Sequence, residues 1–182
     1  MPNVIGVSSR EDFADQLPKE QIGVEVGVWH GDHAQVLLEQ ARPVTLYLVD
    51  PWKVNDDITN RTSTMETTQQ ELDRVFDSVV HRFRDFPAVT ILRMTSVEAA
   101  ERLSLVHWVY IDAIHTYESV KADIAAWRDL IIDEGMICGH DDWVPGIRQA
   151  VKEHLQEYPD DRLEVVGAYS WAIRCRDVQA FR

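Results

Sequence analysis

The sequence has 182 residues, 45% of them hydrophobic and 9% aromatic, which is enough apolar material for one domain with a full core and too much for a disordered chain. Asp and Glu outnumber Lys and Arg by 31 to 18, a formal net charge of -13 that argues against nonspecific binding to nucleic acid or an anionic membrane, since both need a basic footprint. No apolar run approaches a membrane span, the opening MPNVIGVSSREDF lacks the blocks of a secretory signal, and Cys138 and Cys175 have no metal-ligand spacing, so a cytoplasmic protein with buried free thiols is expected.

REDFADQL reads as a short opening helix, and IGVEVGV after it as a strand buried on both faces. From Asp32 the pattern turns helical, with Ala34, Leu37, Leu38 and Ala41 on one face, and TLYLVD is a second buried strand ending at Asp50. Residues Lys53 to Met65 are polar and read as a loop that folds over the site as a lid. A helix from near Glu66 follows, carrying Leu72, Val75, Phe76, Val79, Val80 and Phe83 at helical spacing. AVTILRM is a third strand, SVEAAERL a short helix and LVHWVYIDA a fourth strand. TYESVKADIAAWRDLI reads as a helix with Val120, Ile124, Trp127 and Ile131 inward, ended by Gly135, and GMICGHDD is a fifth strand. GIRQAVKEHLQEY is amphipathic, and RLEVVGAYSWAIRCR reads as two strands joined in a hairpin near Ala168 to Ser170. The alternation predicts an α/β fold: a Rossmann-like, doubly wound, mostly parallel seven-stranded sheet with a C-terminal antiparallel hairpin.

In such sheets ligands bind outside the carboxyl ends of the strands. The polar residues at those ends are Glu25, Gly27 and Gly31 after the first strand, Asp50 after the second, Thr95 and Ser96 after the third, Asp112 and His115 after the fourth, and His140, Asp141 and Asp142 after the fifth. Glu25-x-Gly27-x-x-x-Gly31 is one glycine short of the dinucleotide fingerprint, which argues against a pyrophosphate ligand. Asp50 closes the second strand, where an acid takes ribose hydroxyls. Together these features predict an adenosine ligand without a diphosphate; a tight turn with a surface aspartate is the plainer reading of each one alone.

These residues carry a resemblance. ExGxxxG, LVDPW, IDAIHTYESVKADIAAW and GMICGHDDW followed by GIRQAV are similar to class I S-adenosylmethionine-dependent methyltransferases, in the small-molecule branch that includes macrocin-type O-methyltransferases and cephalosporin-hydroxylase-like proteins. The resemblance runs from about Gly23 to Val151, and the combination of Asp112-x-x-His115-x-Tyr117, Asp123-x-x-x-Trp127 and His140-Asp141-Asp142 carries most of it. It implies a single methyltransferase-like domain over 1–182 that transfers a methyl group from S-adenosylmethionine to a small-molecule acceptor, most naturally a hydroxyl. Glu25, Gly27 and Gly31 would border the methionine portion of the cofactor, Asp50 its ribose, and Thr95 and Ser96 its adenine, with Asp112 counted among the cofactor-binding residues. Trp29 would shield the sulfonium or serve as a packing residue. Glu25 would lie near the sulfonium or amino group, or orient the glycine turn.

Asp112, Asp141 and Asp142 come from adjacent strand ends, and three carboxylates suit a hard cation such as Mg²⁺, as in the related O-methyltransferases. The alternative makes Asp142 a cap and leaves Asp141 solvated. His115 is a candidate general base, or a helix cap, with His140 as the second candidate; His30 and His33 lie near the cofactor turn. Tyr117 and Trp143 are expected to face the acceptor, and a homodimer is the expected assembly. Two other readings stay open: a non-catalytic adenosine-binding protein of the same fold, and a nicotinamide-dependent oxidoreductase, against which the missing third glycine counts.

Overall fold

Strands that are apolar on both faces need helices on both sides, and the chain supplies them in alternation. The computed structural model describes residues 5–54 and 68–176. The strands are β1 (Ile5–Val7), β2 (Ile22–Val26), β3 (Thr45–Val49), β4 (Val89–Leu92), β5 (Val106–Ile111), β6 (Ile131–Gly139), β7 (Arg162–Gly167) and β8 (Ser170–Arg174). They join one sheet in the order β1-β7-β8-β6-β5-β2-β3-β4, parallel throughout except for β8, which runs antiparallel to β6 and β7. The seven expected strands are all present. The eighth, β1, is a three-residue edge strand beside β7, too short to leave a periodic signal.

The described helices are α1 (Arg10–Gln16), α2 (Asp32–Gln40), α3 (Gln69–Phe83), α4 (Ser96–Ala100), α5 (Tyr117–Arg128) and α6 (Pro145–Glu157). Alternate residues of β5 show how they divide. Trp108 and Tyr110 pack with Phe13 of α1, Leu37 of α2 and Val79 of α3, while Val109 and Ile111 pack with Ile124 and Trp127 of α5 and Ile147 of α6. Side-chain caps set several helix starts: Ser9 caps α1, and Thr68 with Glu71 and Thr95 with Glu98 form capping boxes on α3 and α4.

Two details depart from the sequence reading. The helix expected to reach Ile131 stops at Arg128, and Ile131 opens β6, paired with Val106. The next pair is Trp108 with Met136, so Gly135 lies within β6 beside a register shift and ends no helix. Ile131 is buried in either reading, which is why burial pattern alone does not separate them. On α3, Val80 faces solvent while Leu72, Val75, Val79 and Phe83 turn inward. The expected lid falls largely on residues 55–67, outside the described residues, as does the helix start near Glu66. The hairpin closes where expected: Ala168 and Tyr169 both have positive φ (48° and 59°), the backbone of a two-residue turn between the paired Gly167 and Ser170. Cys138 and Cys175 are free and buried.

The strand order reverses between β2 and β5. From β2 the chain steps out to β3 and β4, then returns to β5 on the other flank of β2 and continues to β6. Their carboxyl ends therefore diverge, which is where a crevice forms. Gly27 sits at that point with φ of +88°, and a Cβ there would run into the Asp112 carbonyl and the Cα of Ala113. The turn after β2 packs this tightly against the end of β5 because residue 27 has no side chain.

Candidate functional site

The crevice opens into a cavity of about 640 Å³, a size that suits a small organic ligand. Arg10 enters from α1, Gly27 and Trp29 from the β2–α2 turn, His33 from the first turn of α2, and Asp50 and Trp52 from the end of β3. Thr95 and Ser96 open α4, Asp112 and His115 follow β5, and Ser119, Ala122 and Asp123 line one stripe of α5.

Asp50 ties two strand ends together. Its Oδ2 accepts from the backbone N–H of Val28 (3.0 Å) and of Trp29 (3.1 Å), and its Oδ1 accepts from that of Trp52 (2.7 Å). Burial pushes the carboxyl up from its ordinary value, and these three bonds work against that. Trp29 and Trp52 both hold left-handed backbone, φ 53° and 40°, which is costly for bulky residues and concentrates strain at the cavity wall. The Trp52 indole N–H donates to the Trp29 carbonyl at 3.0 Å.

Glu25 lies beneath the cavity. It is 1% exposed, and its Oε1 is 3.0 Å from Nδ1 of His33, whose ring packs on Tyr110 with centroids 4.2 Å apart. Burial drives the Glu25 carboxyl up and the bond to His33 opposes it. Glu25 Oε2 and His33 Nε2 have no hydrogen-bond partner among the described residues. The buried acid thus holds a histidine, and the histidine borders the cavity.

At the other side of Gly27 the ends of β5 and β6 bring opposite charges together. His115 stands between two carboxylates, Nδ1 3.0 Å from Asp141 and Nε2 3.4 Å from Asp112. His140 Nδ1 is 3.1 Å from Asp141, and Arg10 Nη2 donates to Asp112 Oδ2 at 2.5 Å. Burial alone would raise Asp112, yet His115, Arg10 and His140 hold it below the ordinary carboxylate range. Burial and the nearby guanidinium of Arg10 lower His140 despite the two aspartates. Asp141 itself has left-handed backbone, φ 55°, and accepts from the Trp143 indole N–H at 2.9 Å. Asp112, His115 and Asp141 each offer one ligand atom, all within 4.8 Å of one another.

Residues 24–141 match the profile of a family described as a methyltransferase domain. The chain belongs to that methyltransferase family. Solved structures agree on the fold. The O-methyltransferase NovP superposes with a TM-score of 0.63 at 16% identity, over 92% of this chain and 79% of that one. A putative methyltransferase from Streptococcus mutans in complex with SAH gives 0.60 at 9% identity, over 90% and 92%. A putative rRNA-methylase from Clostridium thermocellum gives 0.64 at 10% identity, over 95% and 99%. No curated protein matches the sequence.

In this methyltransferase, then, the predicted site residues fall into two groups. Gly27, Trp29, Asp50, Thr95, Ser96, Asp112 and His115 border the cavity. Glu25 and Gly31 do not; Gly31 starts α2 with φ of +81°, and a Cβ there would meet the Phe83 ring at 2.6 Å. Thr95 spends its side chain on the α4 cap, accepting from the Glu98 N–H and donating to its carboxylate. Of the predicted metal set, Asp112 and Asp141 converge and Asp142 stands apart, its N–H donating to the Tyr169 carbonyl at 3.1 Å and its own carbonyl accepting from Arg148. His115 takes the third place in that cluster. Tyr117 turns away to Glu153, 2.5 Å from its hydroxyl. Arg10 was not legible as a site residue, because nothing local to α1 signals a partner 102 positions on.

Proposed function

We propose that this methyltransferase moves a methyl group from S-adenosylmethionine to a hydroxyl of a small-molecule acceptor. The observation that carries this reading is the junction at Gly27, where the cofactor-sized cavity meets the Asp112–His115–Asp141 cluster. The residues fit the cofactor. Gly27 leaves backbone room, Asp50 holds the turn above the ribose position, and the unpartnered Nε2 of His33 faces the need for a methionine-end contact that Glu25 was expected to make. Bound there, the cofactor supplies an electrophilic methyl on its sulfonium.

The chain's own residues do the rest. Backbone and side chains of the β2–α2 turn hold the donor in line. His115 accepts the hydroxyl proton, and the imidazolium so formed is stabilised by Asp112 and Asp141 on its two nitrogens. A second reading has the support of the same cluster. Asp112, His115 and Asp141 would hold a divalent ion that acidifies the hydroxyl, with His115 as ligand instead of base. Two carboxylates and an imidazole suit Mn²⁺ or Zn²⁺ better than Mg²⁺, whose all-oxygen preference Asp142 would have served. A small acceptor fits better than RNA, because a net charge of -13 repels a polyanion. Among the described residues no helix is long and apolar enough to cross a membrane.

Calorimetric titration with S-adenosylmethionine and S-adenosylhomocysteine, with NAD as control, tests the cofactor. Binding of the first two and not of NAD is expected. Binding of NAD alone would replace this reading with the oxidoreductase one. Repeating the assay in EDTA and in Mn²⁺ separates the two roles of His115.

A further inference from the structure

Three polar residues outside the cavity converge on one residue of its wall. β3 and β4 run parallel with Val49 beside Leu92, so Arg93 leaves the sheet next to Pro51 and Trp52. Gln69, Asp73 and Phe76 fall at i, i+4 and i+7 of α3, which puts them on one stripe of that helix. Trp52 borders the cavity; Arg93, Gln69 and Asp73 do not.

The Trp52 carbonyl accepts from Gln69 Nε2 at 2.9 Å and from Arg93 Nη2 at 3.2 Å. The same two nitrogens donate to Asp73 Oδ1, that of Gln69 at 2.9 Å. Each nitrogen carries two hydrogens, one for the carbonyl and one for the carboxylate, so the four groups close a ring of hydrogen bonds. Gln69 Oε1 is used as well, accepting the Val54 N–H at 3.2 Å. Arg93 Nε reaches the Pro51 carbonyl at 3.4 Å, and its guanidinium lies 4.6 Å from the centre of the Phe76 ring, which meets the Trp52 ring at 5.1 Å. Arg93 and Gln69 hold the Asp73 carboxyl below its ordinary value.

What this ring secures is an unfavourable backbone. Trp52 has φ of 40°, which a bulky side chain disfavours, and it stands outside every strand and helix, so side chains must satisfy its carbonyl. Trp29, whose carbonyl accepts the Trp52 indole N–H, is left-handed too, and Asp50 accepts the backbone N–H of both. An ion pair as solvated as Arg93 with Asp73 adds little by itself. Two donors on the carbonyl of a strained residue do more: without them the turn relaxes toward ordinary φ, and the two tryptophans of the cavity wall shift with it.

We propose that Arg93 and Gln69 are positioning residues for the cofactor cavity, holding the Trp52 turn in its left-handed form before the ligand arrives and so raising affinity from outside the site. The assignment rests on the S-adenosyl ligand proposed above and adds the residues that preorganise its wall. A turn that spends only a fraction of its time in the binding form weakens the apparent affinity by that fraction.

The test measures equilibrium binding of S-adenosylhomocysteine to wild type, Arg93→Ala, Arg93→Lys and Gln69→Ala, with near-ultraviolet circular dichroism of each protein free and saturated. Arg93→Ala is expected to bind about tenfold more weakly and Gln69→Ala about threefold. Arg93→Lys keeps the charge opposite Asp73 but loses the planar fork, so it should melt close to wild type yet bind about as weakly as Arg93→Ala. The aromatic signal of free Arg93→Ala should differ from that of wild type, and the two should converge at saturation, because the ligand selects the ordered turn. Should Arg93→Ala fail to fold, Gln69→Ala, which leaves the ion pair in place, decides the matter by the same readings. Lower melting temperatures with unchanged affinity, or spectra that stay apart at saturation, overturn the assignment and leave the cofactor reading intact. No binding of S-adenosylhomocysteine by wild type overturns both.

Discussion

Arg10 donates from the N-terminal helix to Asp112 at 2.5 Å, and so places a fixed cation on the carboxylate that ends β5. One oxygen of Asp112 is thereby engaged, and the proposed divalent ion would have to compete with Arg10 for it. Replacing Arg10 with Ala frees that oxygen, and the affinity for Mn²⁺ measured by calorimetry should rise about tenfold. Because Arg10 is partly solvated, the cost in stability should stay near ~1 kcal/mol. Weaker Mn²⁺ binding in the variant would mean that Arg10 supports the metal site instead of competing with it.

Asp50 accepts three backbone N–H groups, and an amide in its place offers one acceptor atom where two are needed. Asp50→Asn should cost about 2 kcal/mol in urea denaturation and lower S-adenosylhomocysteine affinity at least tenfold. A variant of wild-type stability that loses only affinity would assign Asp50 to the ribose alone.

The Glu25–His33 pair separates stability from binding. Glu25→Gln removes a charge whose burial is unfavourable, so stability should change by less than ~1 kcal/mol. The same variant leaves His33 without its anionic partner, and affinity for the S-adenosyl ligand should fall about tenfold. Unchanged affinity would show that His33 is only packing against Tyr110.

Far from the cavity, Asp161 accepts two bonds from Arg128 (2.8 and 2.9 Å) and the Arg176 N–H (2.7 Å), and pairs with His154 (2.8 Å). Burial would raise it, but His154, the Arg176 N–H and Arg128 hold it below the ordinary aspartate value. A depressed folded pKa contributes stability that is present above the unfolded value, about 3.9, and is lost as the pH falls through the folded one. Asp161→Asn should therefore cost about 3 kcal/mol at neutral pH, with the gap to wild type narrowing below about pH 4. Denaturant titrations across that range give the answer, and a gap constant with pH would remove Asp161 from the acid limb.

Much of this was legible in the chain. Runs such as the near-continuously apolar IGVEVGV and the apolar WVYI mark strands covered on both faces, and the spacing of Leu72, Val75, Val79 and Phe83 marks one face of a helix. Strand ends carry the polar residues because that is where a parallel sheet stops being covered, so Asp50, Asp112, His115 and Asp141 could be collected by position alone. Asp123 was visible in the sequence as a motif residue, but nothing near it in the chain shows that it borders the same cavity as Ser96.

Local pattern thus settles the fold class, the glycine turn and the rim on which chemistry must occur, because each depends on residues near in sequence. Which side chains on that rim meet is another matter. Asp141 and Asp142 are neighbours in the chain, yet a left-handed φ at Asp141 sends one carboxylate into the cluster and leaves the other outside it. Glu25 looked like a ligand contact and became the partner of His33, because the helix after the glycine turn lays a histidine between it and the cavity. Arg10 reaches Asp112 only because α1 packs beside β5. Such meetings depend on packing between distant segments, and a periodic pattern carries no record of them.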